Sequence, residues 1–245
     1  MSTLKIPRLS FVCCANDVSV LGQRLLASPC LREGSHPLTL HFNASNAAAG
    51  FNSAMRAEPE SDWLVWVHQD VFLPAGWDAR FALAIAAAQA QFATLAVVGV
   101  YGVAGSGPNA MRVGHILNQG SVLHEAAPMP HRVDSLDELL FAVHVGTPLK
   151  LDPALGYDLY ATDLVLCAQA LGLQACVVDA PCEHWSSTPA SGEVKPQVMA
   201  RVAASAAVFE AKWERQFPIT TPCFAINAKG DVQRFLEQNF TSRQP

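Results

Sequence analysis

The run Trp63-Leu64-Val65-Trp66-Val67, followed at once by His68-Gln69-Asp70, constrains this chain more than any other segment. Aromatic and β-branched residues without a polar interruption suit a strand buried on both faces, and such strands belong to sheets that helices cover on each side. The residues before it agree. Leu9 to Cys14 reads as a strand, Asp17 as the cap of a helix over Val18 to Ala27, and Leu38 to Phe42 as a second strand. Ser45 then caps a helix over Asn46 to Arg56, which leads through Glu58-Pro59-Glu60 into the tryptophan-rich strand. This β-α-β-α-β alternation predicts an α/β fold, with Leu9 to Asp179 in one mostly parallel twisted sheet and helices on both faces.

Further along, Phe81 to Met111 carries no charged residue and invites comparison with a membrane span. Gln89, Gln91 and Thr94 interrupt its alanine-rich first half, and Gly99, Gly102, Gly105, Gly107 and Pro108 break the second. It therefore reads as a helix over Asp78 to Phe92, a strand over Leu95 to Tyr101 and a glycine-rich loop, and no transmembrane segment is expected. Met111 to Ile116 and Ser121 to Ala126 flank a hairpin signal at Leu117-Asn118-Gln119-Gly120, Pro128 to His131 reads as a loop, and Leu139 to Val145 is another apolar run. Thr162 is read as the cap of a helix over Asp163 to Leu171 that Gly172 closes, with a strand over Gln174 to Asp179 and then Pro181-Cys182-Glu183-His184-Trp185 at its end. A polar loop over Ser186 to Pro196 precedes an amphipathic helix from Gln197 to Phe217 and a tail without a clear pattern. The expected division is a domain over residues 1–185, with the loop, helix and tail of 186–245 packed on it.

A net charge of −5 provides no field for holding a polyanion, so nucleic acid is a poor partner, and an anionic small molecule would need a local cation. The seven cysteines form no CxxC pair and read as reduced thiols. Met1 to Arg8 lacks the apolar stretch of a signal peptide, which makes a cytoplasmic setting the expectation.

Side chains alternate along a strand, so His68 and Asp70 share one side and Gln69 takes the other. An imidazole and a carboxylate converging at a strand's C-terminal edge make half of a divalent-cation site; the alternative is a polar turn after a core strand.

The succession Phe11-Val12-Cys13-Cys14-Ala15-Asn16, Gly50-Phe51-Asn52, Val67-His68-Gln69-Asp70-Val71, then Asp152 through Tyr157 to Thr162-Asp163-Leu164 resembles a family-2 glycosyltransferase of GT-A fold. The similarity is to the streptomycin-biosynthesis-type branch, covers roughly Leu9 to Trp185, and lies in the order of the motifs. It implies an inverting transfer of a sugar from a nucleoside diphosphate sugar to an acceptor hydroxyl, with a divalent metal on the leaving diphosphate. His68, Asp70 and the late His184 are the implied metal ligands; imidazole ligation favours Mn2+ over Mg2+. His184 reads alternatively as a loop histidine beside Trp185. The resemblance places the general base at Asp163, which is alternatively a first-turn helix residue. Asp134, Asp137 and Glu138 fall near the expected acceptor side, and of these Asp137 is the choice, alternatively a solvated loop acid. It places donor recognition at Cys14, Ala15, Asn16, Asp17 and Asn52, of which Asp17 is equally a helix cap and Asn52 an exposed helix position. Two other classes fit the same residues: a metal-dependent hydrolase or nucleotidyltransferase, and a catalytically silent nucleotide-sugar-binding protein.

Overall fold

The computed structural model describes residues 5–57, 60–186 and 194–240. Strands β1 (Leu9–Ala15), β2 (Leu38–Phe42) and β3 (Trp63–Val67) run parallel, with Phe11 of β1 opposite both Leu38 and Val65. Every residue of β3 is buried, as its composition demands. Asp17 caps α1 (Val18–Gln23) by accepting the Val20 N–H at 3.0 Å. That helix stops short of the expected Ala27: the backbone turns at Arg24, beside the weak helix former Gly22, into a 3-10 turn over Leu25–Ala27. After the short α2 (Pro29–Arg32), helix α3 (Ala47–Arg56) is capped by Asn46 rather than Ser45, Asn46 Oδ1 accepting the Ala49 N–H at 2.8 Å. Glu58 and Pro59 of the link lie outside the described residues.

The expected single sheet is two. Next come β4 (Val71–Phe72), α4 (Trp77–Gln91), β5 (Leu95–Gly99), β6 (Tyr101–Ala104), β7 (Met111–Asn118) and β8 (Ser121–His124). The apolar run from Leu95 to Tyr101 is split at Val100, where the chain leaves the first sheet at β5 and enters the second at β6. Gly114 of β7 makes that crossing possible. Its φ is +127°, and a Cβ there would lie 2.3 Å from the Val100 carbonyl oxygen and 2.7 Å from Tyr101 Cα. The hairpin is where its turn residues put it, Asn118 facing Ser121 across Gln119 and Gly120, both at positive φ.

Strands β9 (His131–Arg132) and β10 (Ser135–Leu136) lead to β11 (Leu140–His144), which lies between β3 and β5 and is antiparallel to both. Only parallel neighbours need a crossover, and β11 arrives from the second sheet by a three-residue link, so it enters against the others. Then α5 (Tyr160–Ala170), β12 (Gln174–Val177) and β13 (Cys182–His184) follow. The seven-stranded sheet has the order β2-β1-β3-β11-β5-β12-β9, and the second runs β10-β6-β7-β13-β4 with β8 on β7. Helix α5 starts before the expected cap: Leu159 turns the chain at φ 65°, and the Thr162 hydroxyl bonds Ser135 Oγ at 2.9 Å instead of a helix N–H.

Helix α6 (Pro196–Trp213) ends in a 3-10 turn, and the tail folds as a β14 (Ile219–Thr220) and β15 (Ala225–Ile226) hairpin and α7 (Asp231–Phe240). Phe209, Trp213, Val232 and Leu236 pack into the same core as α3 and α5. Residues 187–193 of the expected polar loop lie outside the described residues. Among the described residues, no helix is long and apolar enough to cross a membrane, and no cysteine is in a disulfide.

The sheet crossing is testable by comparing two glycines. Gly114→Ala should lower urea-unfolding stability by more than about 2 kcal/mol, since backbone strain adds to overlap with neighbouring backbone. Gly120→Ala, at φ +82° with no atom within 4 Å of its Cβ, should cost about 1 kcal/mol.

Candidate functional site

Asp70 sits where three strand ends meet. β3 delivers His68 and Asp70, and β11 fixes the exit of the chain, His68 N–H donating to the Leu139 carbonyl at 2.9 Å. Strand β13 sets His184 opposite Val71, and Trp185 N–H donates to the Asp70 carbonyl at 2.9 Å. Asp70 Oδ1 consequently lies 3.6 Å from His184 Nε2 and 4.0 Å from His68 Nδ1. Ligand atoms that share a metal at about 2.0–2.3 Å stand roughly 3 to 4.5 Å apart, which these distances satisfy. Asp70 Oδ1 is buried and has no hydrogen-bond partner in the protein. A buried carboxylate oxygen without a donor is the condition a cation relieves.

Both rings are held from behind. His184 Nδ1 lies 3.0 Å from Asn118 Oδ1, so its N–H donates there and the Nε2 lone pair faces Asp70. His68 Nε2 lies 2.7 Å from the Tyr160 hydroxyl. That hydroxyl can receive the His68 N–H because its own hydrogen has an outlet in the Glu138 carbonyl at 3.4 Å, a tautomer that frees His68 Nδ1. Burial, first, and then the neighbouring His184 hold the His68 pKa below its ordinary value against the pull of Asp70, which keeps the ring neutral. Two imidazoles and a carboxylate form a mixed nitrogen and oxygen donor set of the kind that holds divalent cations.

The trio opens onto a cleft of about 230 Å³, lined on the β1 side by Cys14, Ala15 and Asn16 and on the other by Trp66, Tyr157 and Arg201. Gln69 points away from Asp70, as the alternation requires, and ties the two halves together. Its Oε1 accepts the N–H groups of Asn16 and Asp17, both at 3.0 Å, and its Nε2 donates to Asn16 Oδ1 at 2.6 Å. Arg201 is the local cation that an anionic ligand needs. Its guanidinium grips Asp158 with Nε at 2.9 Å and Nη2 at 3.0 Å, and Ser205 adds a bond to the same carboxylate at 3.3 Å. Arg201, Tyr157, Tyr160 and Asn118 were not among the sequence candidates. For Arg201 a signal exists: it stands four and eight residues before the buried Ser205 and Phe209, on the inward stripe of α6.

Three expected site residues are held elsewhere. Asp163 is fully buried, with Lys212 Nζ 2.8 Å from Oδ1 and Trp213 Nε1 donating to Oδ1 at 2.8 Å, so its carboxylate faces α6 and not the cleft. Asn52 pairs by both ends of its amide with the Leu151 backbone, at 2.8 and 2.9 Å, and is neither exposed nor in the cleft wall. Asp137 Oδ1 accepts the Leu139 N–H at 3.0 Å, closing its own turn. The cleft brings together His68, Asp70, Cys14, Ala15 and Asn16, with His184 beside Asp70 and Asp17 behind the cleft wall.

No protein-family model matches the sequence, and no curated protein matches it significantly. Solved structures do. The mannosyltransferase PcManGT from Pyrobaculum calidifontis, in complex with GDP-Man and Mn2+, is similar over 86% of this chain and 65% of its own, with 15% identity and a TM-score of 0.50. GalNAc-T7 with UDP, GalNAc and Mn2+ is similar over 96% of this chain and 54% of its own, with 11% identity and a TM-score of 0.51. The fold is that of GT-A glycosyltransferases. This chain spans about two thirds of the first and half of the second of these neighbours.

The setting of Asp163 predicts a stability role. Asp163→Asn should strand Lys212 and lower unfolding free energy by on the order of 3 kcal/mol in chemical denaturation, with no change in ligand binding at the cleft. An unaltered denaturation midpoint would show that the buried pair is not needed.

Proposed function

We propose that this protein is a glycosyltransferase that moves a sugar from a nucleoside diphosphate sugar to an acceptor hydroxyl. The observation that carries the reading is the orphaned Asp70 Oδ1, facing two imidazoles whose other nitrogens are engaged, at the edge of a cleft that also holds an arginine. A donor of this class brings two phosphates and a nucleoside, and the cleft offers a partner for each. Cys14, Ala15 and Asn16 in the cleft wall, with Asp17 behind them, would meet the base and ribose, and Arg201 the diphosphate, since a guanidinium forms paired bonds to phosphate oxygens. Asp70, His184 and His68 would hold a divalent cation, Mn2+ in preference to Mg2+ because two of the three donors are imidazole nitrogens. When bound, that cation neutralises charge developing on the leaving diphosphate.

The finer assignment to family 2, its streptomycin-biosynthesis-type branch and an inverting course rests on the motif order, in which His68-Gln69-Asp70 stands at the metal motif. The seven free cysteines support a reducing, cytoplasmic setting.

Calorimetry with GDP and UDP, with and without Mn2+, tests the reading. The parent should bind at least one of them more tightly when Mn2+ is present, and Asp70→Ala should abolish that enhancement. Arg201→Ala should weaken nucleoside diphosphate binding roughly tenfold to a hundredfold, the worth of charge-assisted bonds, while sparing the nucleoside. Nucleotide affinity in Asp70→Ala equal to the parent's with Mn2+ present would overturn the proposal. Asn118→Ala, which frees the His184 ring, should lower Mn2+ affinity about tenfold to a hundredfold by paramagnetic resonance titration.

A further inference from the structure

The segment from Gly156 to Tyr160 is held fast on both sides of Asp158. The Gly156 carbonyl accepts the Ala47 N–H at 3.0 Å, the Tyr157 hydroxyl donates to the Ala44 carbonyl at 2.7 Å, and the Tyr160 hydroxyl meets His68 Nε2 at 2.7 Å. Leu159 turns the chain at φ 65°, so Asp158 and Tyr160 reach different partners. Asp158 faces α6. Ser205, buried in that helix, donates to Asp158 Oδ2 at 3.3 Å, and a Cβ on Gly156 would stand 3.6 Å from the same hydroxyl oxygen, so helix and segment are in contact. Arg201, one turn earlier, places Nε 2.9 Å from Oδ2 and Nη2 3.0 Å from Oδ1. These parallel bonds use two of its five N–H groups; the others, on Nη1 and Nη2, have no partner among the described residues. The Asp158 side chain is 12% exposed and that of Arg201 49%. The pair is thus anchored at its carboxylate and open at its guanidinium, which lines the cleft.

The geometry points to Asp158 as the positioning residue that aims Arg201 at the donor's diphosphate. This rests on the glycosyl-transfer reading, which puts the diphosphate at Arg201. An arginine side chain has many rotamers, and ordering one on binding weakens affinity about threefold to tenfold. Asp158 is fixed by its own segment, and its two parallel bonds set both the position and the plane of the guanidinium before a ligand arrives. They occupy the Nε and Nη2 edge and leave the Nη1 and Nη2 edge for a second bidentate partner. Phosphate oxygens suit that edge in spacing and charge. Asp158 also offsets one unit of positive charge, so removing its carboxylate has two effects of opposite sign: the guanidinium loses its direction and the site gains net positive field.

Calorimetry with Mn2+ on Asp158→Asn, Arg201→Ala and the double variant tests it, using GDP or UDP, whichever the parent binds, and the matching nucleoside. Asparagine keeps the size of the side chain and one acceptor oxygen but turns an amide N–H toward the guanidinium, so one of the parallel bonds is lost. The nucleoside diphosphate should bind about threefold to tenfold more weakly to Asp158→Asn, with the nucleoside unchanged. In the Arg201→Ala background the same substitution should weaken neither ligand, because a residue that acts only through Arg201 has nothing left to aim. Nucleoside diphosphate affinity equal to the parent's or tighter overturns the assignment, since Asp158 would then only temper the charge. An equal loss with and without Arg201, or a loss shared by the nucleoside, also overturns it, by marking a general disturbance of the cleft. An Arg201→Ala protein that binds the nucleoside diphosphate like the parent overturns the placing of the diphosphate itself, and Asp158 with it.

Discussion

Two side chains and a carbonyl meet at the Tyr160 hydroxyl, and the candidate site takes its form from that meeting. Trp66 Nε1 donates to it at 3.1 Å, His68 Nε2 lies 2.7 Å away, and the Glu138 carbonyl stands 3.4 Å off. Trp66 and His68 come from β3 and its exit, Glu138 from the link before β11 and Tyr160 from α5, so one hydroxyl registers these three parts of the chain against one another. The ring is fixed because it is fully buried, packed edge-on against Trp66 at 5.6 Å, with Phe141 6.2 Å from both rings. Such aromatic contacts are worth about 0.5–1.5 kcal/mol each beyond the area they bury. The core and the orientation of the imidazole that faces Asp70 are therefore one problem with one solution.

The second sheet completes what the first begins. His68 and Asp70 leave β3 with a free lone pair each, and two ligands rarely suffice for a cation. The chain reaches the third by changing sheets at Val100, which places β7 and then β13 alongside β4. Asn118 and His184 stand opposite each other in that parallel pair, so the register that builds the sheet also sets the bond that aims the ring. On the far wall, α6 contributes Arg201, and the cleft depends on a helix late in the chain.

Much of this was legible where local chemistry decides local structure. The tryptophan-rich strand, the Asp17 cap, the Gln119-Gly120 hairpin and the convergence of His68 with Asp70 all follow from side-chain alternation and turn chemistry, and His184 was placed by the resemblance. What the sequence did not show depended on pairings distant in sequence. A helix N-terminus invites a carboxylate, and Asp163 answered that description; but α5 begins at Tyr160, and Asp163 turns toward Lys212 and Trp213 of α6, about 50 residues on. Asn52 looked free on an amphipathic helix because its partner, Leu151, is 99 residues away. The direction of β11 escaped for the same reason, since an apolar run carries no sign of which way it will be threaded.

Anomalous diffraction at the manganese edge, from crystals grown with Mn2+ and a nucleoside diphosphate, measures the central claim most directly. The account predicts one strong peak bonded to Asp70 Oδ1, His184 Nε2 and His68 Nδ1, with the diphosphate between that peak and Arg201. A peak bound elsewhere, or a nucleotide seated with its phosphates away from Asp70, would contradict it.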